Sequence, residues 1–155
     1  GDHRDGRMRH QVGVGRSRAT DVHTLGADPA EHREGALDVG DAGFGQLFLD
    51  AWHGRNPSLP AERVREFATR QNLPEDSDWA LGWDTPTAGA SSSGQYFSAC
   101  SVGHLGFTGT SLWIDLEREL IVVMLTNRIH QVAKKSRFEL RPKVHDAIFE
   151  GFTAE

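Results

Sequence analysis

With 155 residues, a formal net charge of −5 and 37% hydrophobic residues, the chain is long enough for one ordinary domain and too short for two well-filled cores. The acidic balance offers no clustered positive patch, so no nucleic-acid partner is expected, and no apolar run approaches the about 20 residues that span a bilayer. A single cysteine, Cys100, excludes an internal disulfide framework. No charged-then-apolar segment opens the chain as a secretory signal would, so as it stands it reads as cytoplasmic, with a periplasmic or secreted complete protein left open.

Residues 1–42 contain no aromatic side chain and follow neither a helical nor a strand period, so an irregular or disordered segment is expected there and a folded unit over 43–155. Their Arg, Gly, Ala, Asp and His content also matches a GC-rich gene translated out of frame, which would leave the stretch unselected for folding. His3, His10, His23 and His32 are too widely spaced for a metal-ligand pattern. No metal and no cofactor are expected. In "GFGQLFLDAWHGR", Phe44, Leu47, Phe48, Ala51 and Trp52 make one apolar stripe of a helix that Gly54 stops. A second, shorter helix starts at Pro60 and carries Val64, Phe67 and Ala68.

"WALGWD" alternates Trp79, Leu81 and Trp83 on one face, as a half-buried strand does. "TPTAGASSSGQ" is a loop by composition. "SLWID" and "ELIVVMLTN" read as a hairpin turned at "LER", and the unbroken run Leu120 to Leu125 suits a central strand covered on both faces. Pro142 opens a last helix whose Val144, Ala147, Ile148 and Phe152 share a face. His53, His130 and His145 are expected to face solvent, and Cys100 to sit at a strand edge. The order is helix, helix, strand, strand, strand, helix with antiparallel pairing, an α/β chain of the α+β type.

"GHLGFTGTSLWID", the turn "LERE", then "LIVVMLTNR" and, after a short loop, "RPKVHDAIFEGF" together resemble the carboxyl-terminal part of the serine β-lactamase and penicillin-binding-protein superfamily, in the branch of class C β-lactamases and related esterases. The resemblance covers residues 43 to 152. It implies a partial β-lactamase-like fold, an antiparallel sheet with flanking helices and a carboxyl-terminal helix. In that family a strand beside the active site begins with a Lys-Thr-Gly or His-x-Gly triplet, which His104, Leu105 and Gly106 match, and the next strand ends in Asn and a basic residue, as Asn127 and Arg128 do.

The resemblance implies roles as well. The Phe107 N–H would be one of two oxyanion-hole donors, His104 would polarise the proton-transfer network beside the nucleophile, and Gly106 would let a substrate lie against the strand. Leu105 and Thr108 would line the substrate, a small acyl compound such as an ester, a β-lactam or a peptide. Leu105 stands where a hydroxyl residue is commoner, which favours ester hydrolysis over recognition of a substrate carboxylate.

Two family motifs are missing from the 155 residues. No serine has Lys three positions on, and the only tyrosine, Tyr96, is followed by Phe97 and Ser98 rather than x-Asn. Two function classes follow. One is the carboxyl-terminal portion of a serine hydrolase, inactive alone; the other is a non-catalytic remnant or interaction module that keeps the inherited fold and binds at an exposed sheet edge.

Overall fold

The computed structural model describes residues 11–16, 35–126 and 140–153, with side chains described over 42–126 and 140–151. Its centre is the hairpin of β3 (Ser111–Asp115) and β4 (Leu120–Leu125), with Trp113 opposite Val122 and Ile114 opposite Ile121. The Asp115 carboxylate builds the turn by accepting from the backbone N–H groups of Glu117 (3.2 Å) and Arg118 (2.9 Å), as short acidic side chains do at reversals. β2 (Ser101–Leu105) pairs antiparallel with β3.

On the far edge of β4 lies β1 (Gln11–Arg16), so the sheet order is β1-β4-β3-β2. This corrects the expectation of an irregular segment over 1–42: residues 11–16 form a six-residue strand, and α1 (Gly35–Trp52) begins well before residue 43. "QVGVGR" escapes periodicity because only its valines are apolar; what makes it a strand is the edge that β4 offers. The other residues up to 34 lie outside the described ones.

Period-two alternation sends the strands' side chains to opposite faces. Val102, Ile114, Ile121 and Val123 meet Phe48, Leu49 and Ala51 of α1, Val64 of α2 (Ala61–Ala68), and Trp83. Trp113, Leu120 and Val122 meet Phe97 and Phe149, the latter on α3 (Leu140–Thr153). The central run is thus covered on both faces.

Several faces differ from the sequence reading. Among the described side chains of α1 the buried positions are Gly45, Phe48, Leu49 and Ala51, while Leu47 is 56% exposed and Phe44, 50% exposed, stacks on Trp83 at 6.1 Å. Trp79, Leu81 and Trp83 do not share a strand face. Ala80 and Trp83 close a tight turn through an N–H···O bond of 2.9 Å, so Trp83 goes inward while Trp79 and Leu81 stay out. Only single bridges, Trp79 to Asp84 and Asp84 to Gly103, remain of that strand. Among the described side chains of α3 the buried positions are Arg141, His145 and Phe149, one every fourth residue; Val144 and Ile148 are half-buried, Ala147 is exposed and Phe152 lies outside the described side chains. The helix turns polar groups inward because the Ser111 hydroxyl of β3 and the carbonyls of Ser93 and of residues 106, 109 and 110 stand at that end.

Candidate active site

The triplet closes a strand rather than opening one. His104 and Leu105 end β2, and a five-residue loop, 106–110, leads to β3. β2 hides from periodicity because two of its inward positions are Ser101 and Gly103. A side chain at 103 would collide with the Trp113 ring, which fills that space, so the position is reserved for glycine by close approach. His104 stands exposed on the α1 side of the sheet, opposite Leu112, and its ring forms no hydrogen bond among the described residues. Leu105 points the other way, into the cluster of Phe97 and Trp113. The two neighbours in the triplet therefore serve different faces.

Asp84 flanks this strand, exchanging two backbone hydrogen bonds with Gly103 (2.8 and 2.9 Å). Burial raises its carboxyl above the ordinary value, opposed by the Thr85 N–H, the Ser92 hydroxyl and the nearby His104.

The loop is held from inside. Gly106 N–H donates to Thr110 O (2.9 Å) and Gly109 N–H to Gly106 O (3.0 Å). A Cβ at 106 would run into the Thr110 hydroxyl, so glycine is required there. Phe107 is 78% exposed at the tip. Thr108 is half-buried and its carbonyl accepts from the Thr126 hydroxyl at 3.5 Å. Arg141, from the first turn of α3, donates to the carbonyls of Gly106, Gly109 and Thr110 at 2.9, 3.1 and 3.2 Å.

Behind the loop, His145 is fully buried, against the expectation that it faces solvent. A carbonyl only accepts, so Nδ1–H donates to Ser93 O (3.1 Å), and Nε2 accepts from the Ser111 hydroxyl (3.2 Å). Burial pushes its pKa down to about 4, so the ring is neutral at pH 7. Asp115, also fully buried, takes the Ser98 N–H and hydroxyl at 2.9 and 2.8 Å and Arg118 Nη1 at 2.8 Å. Burial alone would raise its pKa, but these bonds outweigh it and the carboxyl sits below its ordinary value. Arg141, His145, Asp115 and Asp84 were not singled out by motif; the spacing of Arg141, His145 and Phe149 was the signal available.

The remaining nominated residues lie elsewhere. The Tyr96 hydroxyl donates to Glu150 of α3 at 3.1 Å, whereas His104 stands on the α1 side of the sheet. Cys100 is exposed and free. His53 is exposed and bonds Leu116 O at 3.2 Å. Asn127, Arg128 and His130 lie outside the described residues. Among the described residues no group of His, Cys, Asp and Glu is placed to hold a metal ion, and no helix is long and apolar enough to cross a membrane. An exposed imidazole beside a loop amide can polarise an acyl group and relay a proton; it does not attack one.

A family model described as Beta-lactamase matches residues 12–144. That span starts earlier than residue 43 and takes in β1. Two curated proteins of Escherichia coli, of strains K12 and O157:H7, each named "Putative D-alanyl-D-alanine carboxypeptidase", are 38% identical over 77 residues, covering 45% of this chain and 16% of theirs. A crystal structure of a β-lactamase from Mycobacterium bovis superposes with a TM-score of 0.56 at 24% identity, covering 71% of this chain and 42% of that one. The chain thus spans well under half the length of each of these relatives.

Proposed function

Since the chain belongs to the β-lactamase family, a serine hydrolase-type superfamily, we propose that it forms the carboxyl-terminal wall of an acyl-serine hydrolase site and does not turn over substrate by itself. His104 polarises the proton-transfer network next to a nucleophilic serine, and the Phe107 N–H is one of the two oxyanion donors. Gly106 leaves room for a small acyl substrate, an ester, β-lactam or peptide, and Thr108 borders it. Leu105 contributes through its backbone, because its side chain is committed to the core on the α3 side.

The observation that carries this reading is a juxtaposition. The His104–Gly106 triplet ends β2, whose edge away from β3 carries, among the described residues, only the Asp84 bridge, next to a loop tip at Phe107, in a sequence without Ser-x-x-Lys or Tyr-x-Asn. Acyl transfer of this type passes through a covalent serine ester, and without its nucleophile a serine hydrolase keeps only a small residue of catalysis.

The test is direct. The chain alone should neither hydrolyse nitrocefin or p-nitrophenyl esters above background nor react with a fluorophosphonate or penicillin probe. Adding an amino-terminal portion that carries Ser-x-x-Lys and Tyr-x-Asn should restore both, and His104→Ala should then lower turnover more than folding stability. Stoichiometric serine labelling of the chain alone would overturn the proposal.

A further inference from the structure

The loop that carries Phe107 gathers three of its carbonyl groups on one buried side chain. Arg141, 8% exposed, sends Nε to Gly109 O and Nη2 to both Gly106 O and Thr110 O. A guanidinium is a rigid planar fork, so the positions of carbonyls that meet it are set by its plane. The Gly106 carbonyl and the Phe107 N–H are the two ends of one peptide unit, and in a trans peptide they point in opposite directions. Holding the Gly106 oxygen against α3 therefore turns the Phe107 N–H away from α3, toward the side on which His104 stands. A cation on the carbonyl also polarises the unit and makes its N–H a stronger donor.

We propose that Arg141 is the positioning residue for the Phe107 N–H, setting both the direction and the donor strength of the oxyanion-hole amide; its catalytic meaning rests on the hydrolase reading above. Arg141 touches no substrate. It acts through the peptide it holds, and the Gly109 N–H, which bonds the same Gly106 oxygen at 3.0 Å, completes the clamp.

The bond direction can be read in the isolated chain, without activity. In Arg141→Met the residual dipolar coupling of the Phe107 N–H should change, and exchange of the Gly106 and Gly109 amides should accelerate about tenfold or more, while the Ile114 and Val122 amides keep their protection. Should Arg141→Met fail to fold, Arg141→Lys serves, because it keeps bulk and charge yet its single ammonium cannot span three carbonyls. Free guanidinium at millimolar concentration should restore the coupling in Arg141→Ala. In a catalytically complete protein the same variants should lower kcat by about tenfold to a hundredfold with KM nearly unchanged, approaching the loss of an oxyanion donor. An unchanged Phe107 coupling in a folded variant overturns the proposal, whatever the activity. A changed coupling combined with a complete wild-type protein that hydrolyses nothing upholds the clamp and sinks the hydrolase reading instead.

Discussion

The two faces of the sheet are built on different principles. Against α1 the contacts are hydrocarbon and ring: Leu49, Ile114, Val123 and Val102 pack with Phe48 and Trp83, whose ring centroids lie 4.9 Å apart. Against α3, Trp113, Phe97 and Phe149 share the interior with Asp115, Ser98, Ser111, His145, Ser93 and Arg141. Burying an aliphatic or aromatic side chain contributes about 1.5–3 kcal/mol, whereas a satisfied internal hydrogen bond nets about 0.5–1.5 kcal/mol. The α1 face is thus the larger source of stability per residue. The α3 face contributes direction: hydrogen bonds punish misplacement, and they pin the loops at 91–98 and 106–110 to the sheet. The loop tip that bears Phe107 is fastened from the polar face, while His104 projects from the apolar one.

This contrast can be tested by substitution, from the largest effect downward. Asp115→Ala leaves the buried Ser98 N–H and hydroxyl without their acceptor, at about 1–3 kcal/mol each in urea unfolding, and removes the turn bonds to the Glu117 and Arg118 N–H groups, while the exposed Arg118 guanidinium returns to solvent. A loss under about 1 kcal/mol would erase the distinction between the faces. Leu49→Ala opens a cavity under α1 and should cost about 2–5 kcal/mol. It should leave amide shifts in the 106–110 loop unchanged, since nothing in that loop packs on Leu49; altered loop shifts would show that the faces are coupled.

Acid should act on the polar face. His145 is buried neutral with a pKa near 4, below its unfolded value of about 6.5, so the unfolded chain binds the proton more tightly. Its stabilising contribution is full above about pH 6.5 and is lost as the pH falls toward about 4, for a total on the order of 3 kcal/mol. Asp146 opposes this shift of the ring and Arg141 adds to it. Asp115, held below its ordinary value, keeps its contribution until lower pH. Asp84, raised by burial, works in the opposite sense at the acid end. Urea midpoints between pH 7 and 4.5 should fall for the wild type and flatten for His145→Gln; a flat wild-type profile would refute the assignment. Smallest of all, Ile121→Val on the α1 face should cost about 0.5–1.5 kcal/mol by the same urea measurement and leave the pH profile intact.

What could be read from residues alone was whatever repeats or stands in a motif. The hairpin of β3 and β4 and the two-sided burial of Leu120 to Leu125 follow from an unbroken apolar run with a turn in front of it. The family likeness follows from the triplet and the segments after it. Three things were decided only by the tertiary structure. β1 exists because β4 has an edge to pair, and pairing needs no apolar pattern of its own. β2 exists although Ser101 and Gly103 spoil its alternation, since Trp113 fills the space over Gly103 and the Ser98 hydroxyl meets that of Ser101 at 3.3 Å. The inward face of α3 is polar at one end because the carbonyls of 106–110 and the Ser93 and Ser111 groups stand where Arg141 and His145 arrive. Local sequence records whether a residue is apolar, but it does not record which partners a distant loop will bring to it, and that is what makes a buried Arg or His cheaper to keep than to expose.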